Sequence, residues 1–226
     1  MVVAHGFTGS WERPAMVRII AGFARHCGVV ALDMRGHGRS SGVSTAGDRE
    51  VFDLAAAVDW ARQAGYRQVI TCGFSMGGAV AIRHAARDGL GDRLAAVISI
   101  SAPSRWYLRD TIAMRRVHYV LEHRPGRLFA RWVLRTRIDA SGWPIVPESP
   151  REAVPRVAPT PLLIVHGDRD RYFSLEQATA LAERAKPPCD VWIVPGFGHA
   201  ESAMTDDLTH RIGRYAATLG CDGKAD

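Results

Sequence analysis

The sequence predicts an α/β fold: a mostly parallel, doubly wound sheet with helices on both faces and one helical insertion. Three observations lead there. Short apolar runs alternate with segments of helical periodicity, the segments just after the apolar runs are rich in glycine, histidine, serine and aspartate, and one central stretch breaks the alternation. Neighbouring parallel strands need a crossover, and a crossover helix packs back on the sheet with a right hand, so this alternation specifies βαβ units.

The elements follow in order. "MVVA" is a first strand, "HGFTGS" its loop, and "WERPAMVRIIAGFARH" a helix whose Met16, Val17, Ile20 and Phe23 recur at helical spacing. "CGVVALD" is a second buried strand, followed by the glycine-rich loop "MRGHGRSSG". "DREVFDLAAAVDWARQAG" has an acidic first turn and a terminal glycine, both helix boundary signals. "RQVITCGF" is the third strand and "SMGGAVAIRHAARDG" its helix; "LAAVISISAP" is the fourth strand. "TIAMRRVHYVLEH" and "RLFARWVLRTRI" read as helices, and "SGWPIVPESPREAVPRVAPTP" as a proline-rich return loop. The pattern resumes with "PLLIVHGDRDRYF" as fifth strand, "SLEQATALAERAK" as its helix, "CDVWIVPGFGH" as sixth strand and "MTDDLTHRIGRYAATLG" as closing helix.

A length of 226 residues with 47% hydrophobic and 23% charged residues suits one globular domain, 1–226, with an insertion at about 103–158. No run of 18 apolar residues and no leader pattern occurs, so the expectation is a cytoplasmic protein without an integral membrane segment. The net charge of +6 comes almost wholly from arginine, with Lys186 and Lys224 the only lysines. Those arginines are scattered and accompany no nucleic-acid-binding pattern, so no nucleic-acid partner is expected. Cys27, Cys72, Cys189 and Cys221 stand far apart, which argues for free thiols and against a disulfide framework or a metal site. No cofactor and no metal is implied.

In parallel sheets, ligands bind beyond the carboxyl ends of the strands. Every unusual segment falls at such an end. Ser75 sits between glycines in "GFSMGG", where a very tight strand-to-helix turn would hold its hydroxyl above the sheet. A helix N-cap is the alternative for this serine, although a cap does not need the flanking glycines. A serine nucleophile needs a base. Of the nine histidines, His199 alone occupies a loop after the last strand; His26, His84, His118, His123 and His210 lie in predicted helices, and His5, His37 and His166 suit turn-stabilising roles in the motif loops. An acid must orient the base. "HGDRD" offers two: Asp168, close to the strand end, reads as a turn stabiliser, and Asp170, two residues further out, as the orienter. An oxyanion would be met by the backbone N–H groups of Met76 and Phe7, each donor being worth roughly 3 to 4 kcal/mol. Both side chains can line an apolar pocket at the same time.

With these residues in view, the chain resembles the α/β-hydrolase superfamily along nearly its whole length. "HGFTGS", "DMRGHGRSSG", "GFSMGG", "HGDRD" and "GFGH" occur in that superfamily's order, with Ser75, Asp170 and His199 as nucleophile, acid and histidine. The early segments are most similar to bacterial esterases and to monoacylglycerol-lipase-like or cinnamoyl-esterase-like enzymes. The resemblance implies a cofactor-free serine hydrolase acting on a small-molecule carboxylic ester. Serine at position 75 argues against dehalogenases and epoxide hydrolases, which carry aspartate there, and against dienelactone hydrolases, which carry cysteine. Thioester or amide cleavage, peroxidation, carbon–carbon cleavage and an inactive binding protein stay open.

Members of the superfamily usually have two further strands before the segment that here begins at Met1. Either the fold is trimmed or Met1 is an internal start of a longer reading frame; a trimmed fold would leave "VVA" exposed at a sheet edge, with low stability or homodimer formation through that edge as the hypothesis. The insertion takes the place of the superfamily's lid. From Arg105 to Arg137 it holds nine arginines against Asp110 and Glu122, interleaved with Trp106, Tyr107, Phe129 and Trp132. It reads either as an amphipathic cap with its arginines in water or as a binder of acidic groups or an anionic interface. The short chain and the aromatics suggest a modest acyl or aryl pocket.

Overall fold

A computed structural model of the chain describes residues 1–87 and 94–220. Six strands, all parallel, form one sheet: β1 (Val2–Ala4), β2 (Val30–Leu32), β3 (Ile70–Phe74), β4 (Ala96–Ile100), β5 (Leu162–Gly167) and β6 (Cys189–Val194), in the order β2-β1-β3-β4-β5-β6. The helices are α1 (Pro14–Phe23), α2 (Glu50–Gln63), α3 (Met76–Ala85), α4 (Ile112–Glu122), α5 (Arg124–Trp132), α6 (Pro150–Ala153), α7 (Leu175–Ala182), α8 (Ala200–Ala203) and α9 (Asp206–Thr218).

The strands alternate their side chains between two cores, as the pleat requires. Val2 and Ala4 of β1, Val97 of β4 and Leu162 and Ile164 of β5 pack with Leu54 and Val58 of α2, Val80 of α3 and Leu181 of α7. On the other face Val3, Ile70, Cys72, Phe74, Ile98 and Val165 meet Met16, Ile19 and Phe23 of α1 and Leu208 and Ile212 of α9. Near-continuous apolar strands are what a sheet covered on both faces demands.

Two expectations are corrected here. "VVA" is not at an edge: β1 lies between β2 and β3, and Val2, Val3 and Ala4 are fully buried. The edge beside it is β2, whose three residues are half-buried, so the argument for dimerisation through an exposed first strand loses its premise. The proline-rich stretch is also not all loop. It holds α6 and a 3-10 turn, Val154–Arg156. Pro150 occupies the first turn of α6, where a missing N–H does no harm, and Ser149 forms a capping box with Glu152.

Helices α4 to α6 stand between β4 and β5. Helix α5 turns small residues inward: Gly126 and Ala130 are buried, and a Cβ on Gly126 would crowd the Tyr119 carbonyl at 2.6 Å. Leu128, Phe129 and Trp132 face outward, with Trp132 74% exposed. Several arginines of this insertion are bonded rather than merely solvated. Arg109 pairs with Glu122, Arg127 donates to the carbonyls of Leu121 and Glu122, and Arg137 donates to those of Gly42 and Ser40.

Candidate active site

Ser75 follows β3 directly and precedes α3, with φ 51° and ψ −115°. A non-glycine residue adopts positive φ only when its surroundings fix it there. The surroundings are glycines with no room for a side chain. A Cβ on Gly73 would collide with the Gly77 backbone; one on Gly77 would collide with the Ala4 carbonyl and come within 2.6 Å of that of His5; one on Gly78 would lie 2.9 Å from Ser99 Oγ. These contacts let α3 start against the sheet without a connecting loop. The Ser75 N–H donates to Ile100 O at 2.8 Å, which ties the turn to β4. Although Ser75 occupies the N-cap position of α3, its side chain makes no cap bond. The hydroxyl instead meets His199 Nε2 at 3.0 Å.

His199 lies in the loop after β6, and its Nδ1 is 2.7 Å from Asp170 Oδ2. A carboxylate is acceptor-only, so Nδ1 carries the proton and Nε2 is left to accept from the Ser75 hydroxyl. Tyr172 stacks on the imidazole with ring centroids 4.3 Å apart, and Phe173 meets it edge-on at 5.4 Å. The next residue, Ala200, donates its N–H to Ser101 Oγ at 3.1 Å, fixing the loop to the end of β4. His166 also approaches Asp170, at 3.7 Å, but its Nε2–H is directed to Phe173 O at 3.1 Å. Burial lowers the His166 pKa, so it stands by as a neutral ring that secures the turn.

The remaining sequence candidates have distinct places. Asp168 accepts the Gly196 N–H at 2.6 Å, bridging the β5 and β6 loops rather than capping its own turn. His5 donates from Nδ1 to Gly6 O at 2.7 Å and accepts the Met34 N–H at Nε2 at 3.1 Å, joining the loops after β1 and β2. Met76 is the first residue of α3, where an N–H has no acceptor within the helix. Phe7 and Met76 both line the same cavity as Ser75 and His199.

That cavity measures about 710 Å³. Its roof comes from the β4–β5 insertion, including Trp106, Val117, Leu121 and Trp143. The Trp106 and Trp143 rings lie 5.4 Å apart, and their indole N–H groups donate to Pro147 O at 2.8 Å and Thr45 O at 2.6 Å. The wall at Thr45 is held by Glu50, a buried carboxylate that accepts from the Ser44 and Thr45 hydroxyls and the N–H groups of Thr45 and Gly47.

Glu201 is another cavity residue, to which the sequence analysis gives no role. Glu201 Oε1 accepts the Gly6 N–H at 2.5 Å. Burial raises its pKa, against the opposing pull of that N–H. The available signal was an acid two residues beyond the histidine in "GFGHAES". Among the described residues no group of three or more His, Cys, Asp or Glu side chains is arranged to hold a metal ion, and no helix is long and apolar enough to cross a membrane.

Comparison with known proteins agrees with this architecture. The family described as "alpha/beta hydrolase fold" matches residues 1–137. A non-heme haloperoxidase of Rhodococcus erythropolis is 24% identical over 250 residues, covering 91% of this chain and 87% of the relative. Among solved structures, an esterase of Pyrococcus furiosus superposes with a TM-score of 0.73 at 24% identity, covering 96% of this chain and 81% of that one. Est1E of Butyrivibrio proteoclasticus, solved with ferulic acid bound, gives 0.66 at 21% identity, covering 98% and 89%. At such identities these structures speak to the fold.

Proposed function

The chain belongs to the alpha/beta hydrolase fold family, and on that premise we propose that it is a serine hydrolase that cleaves carboxylic esters. His199 Nε2 takes the proton of Ser75 as Oγ attacks the ester carbonyl. Asp170 keeps the imidazole in the working tautomer and stabilises its protonated form. The N–H groups of Met76 and Phe7 receive the oxyanion, and the imidazolium passes its proton to the leaving alcohol. Water, deprotonated by the same imidazole, then releases the acid from the acyl-enzyme. The segment 103–158 acts as the lid over this centre. The observation that carries the reading is the unbroken chain from Asp170 Oδ2 through His199 to Ser75 Oγ, at 2.7 and 3.0 Å.

The test is covalent. A fluorophosphonate probe should label wild-type protein at Ser75, and Ser75→Ala should abolish labelling and lower turnover of a short p-nitrophenyl ester by about 10⁴-fold or more. A folded wild type that neither reacts nor turns over any acyl ester or thioester would overturn the assignment and favour a binding role. The haloperoxidase relatives motivate a second reading, in which hydrogen peroxide replaces water as acceptor of the acyl group and yields a peracid. Halide oxidation in the presence of a carboxylic acid and peroxide, lost in Ser75→Ala, is its signature.

A further inference from the structure

The proposed chemistry needs two backbone donors, and the structure holds them by different means. Met76 N–H belongs to α3 and is fixed by the helix. Phe7 N–H belongs to a loop, in the peptide unit whose carbonyl is Gly6 O. That unit is planar and trans, so the direction of Phe7 N–H is set by what holds Gly6 O. Gly6 O accepts from Gly9 N–H at 2.9 Å and from His5 Nδ1 at 2.7 Å. On the other side of the Gly6 Cα, the Gly6 N–H is held by Glu201 Oε1 at 2.5 Å.

A side chain at Gly6 would be crowded. A Cβ there would lie 3.2 Å from Ser75 Cβ and 3.3 Å from both Glu201 carboxyl oxygens. Glycine is also the residue with the widest backbone freedom. Both flanking peptide units must therefore be tied for the loop to keep one conformation. Resting on the hydrolase reading, we propose that Glu201 is a positioning residue: by holding the Gly6 N–H it fixes the loop that aims Phe7 N–H at the oxyanion.

The chemistry of the group supports a role through hydrogen bonding rather than charge. Oε1 accepts the Gly6 N–H, and burial pushes the carboxyl pKa up against that bond. Glutamine keeps the shape of the side chain and its acceptor oxygen. Methionine keeps the length and volume without a strong acceptor.

The experiment compares wild type, Glu201→Gln and Glu201→Met for kcat and KM on a p-nitrophenyl ester. It also measures affinity for an arylboronic acid, whose tetrahedral adduct imitates the oxyanion, with thermal melts as a folding control. Glu201→Met should lose about 10- to 100-fold in kcat with KM within about twofold, and lose boronate affinity by a similar factor. Glu201→Gln should stay within about fivefold of wild type on both readouts. A methionine variant with wild-type kcat and boronate affinity overturns the proposal, as does a folded glutamine variant as impaired as a folded methionine one. If Glu201→Met does not fold, Glu201→Leu, which also lacks an acceptor, takes its place under the same criteria: a loss in kcat and boronate affinity upholds the proposal and wild-type values end it. A wild type inert to both ester and fluorophosphonate marks failure of the hydrolase reading itself, and this proposal falls with it. An active wild type with an unimpaired methionine variant confines the failure to Glu201.

Discussion

Asp170 approaches His199 with one carboxylate oxygen and its own turn with the other: Oδ2 lies 2.7 Å from His199 Nδ1, while Oδ1 accepts the N–H groups of Tyr172 and Phe173 at 2.8 and 3.1 Å. The side chain is fully buried, whereas the imidazole keeps 15% of its side-chain surface. Turn geometry thus points the second oxygen at the histidine.

Asparagine can keep the turn bonds through its Oδ1 but presents an NH₂ to the imidazole, which stabilises the opposite tautomer. Asp170→Asn should therefore lower kcat on a p-nitrophenyl ester by about 10⁴-fold while leaving the melting temperature almost unchanged. A loss below tenfold in a folded variant would remove Asp170 from its proposed role.

The tight turn at Ser75 makes a stability prediction. A methyl group on Gly77 meets backbone carbonyls of Ala4 and His5, and no rotamer can relieve it. Gly77→Ala should cost at least about 3 kcal/mol in urea denaturation, or prevent folding, because it separates α3 from the sheet. A variant within 1 kcal/mol of wild type would show that α3 can shift at little cost.

His5 and His84 make stability depend on pH. Burial holds both at about 4, down from an ordinary 6.5. The unfolded chain then binds more protons than the folded one at mildly acid pH. The stabilisation from keeping these rings neutral is complete above 6.5 and is lost as pH falls from 6.5 towards 4. Each contributes a loss of about 2 kcal/mol between pH 7.5 and pH 5. Neither ring nitrogen of His84 has a hydrogen-bond partner among the described residues. His84→Leu should remove that share, so the variant gains on wild type at pH 5 relative to pH 7.5. Parallel stability curves for the two proteins would contradict it.

The central geometry was legible because sterics and chemistry write it into local spacing. Glycines around Ser75 report a helix packed directly on a strand, and Asp170 was separable from Asp168 because two residues change which loop the carboxylate faces. The lateral place of β1 was not legible, since strand order is set by crossovers and "VVA" reads alike at the centre or the edge. Nor was the orientation of α5, whose periodicity gives an apolar stripe but not that Gly126 and Ala130 take the inside. Helix α6 was hidden by its prolines, although Ser149 and Glu152 carry a capping signature. Glu201 was passed over because its partner, the Gly6 amide, is 195 positions away.

None of the side chains joined from Ser75 to Asp170 comes from the stretch between β4 and β5, yet that stretch roofs much of the cavity. The three joined side chains and much of the surface above them therefore come from separate stretches of the chain. Under the proposed function, residues 103–158 can be exchanged or reshaped to admit a different acyl or alcohol portion while Ser75, His199 and Asp170 are left as they stand.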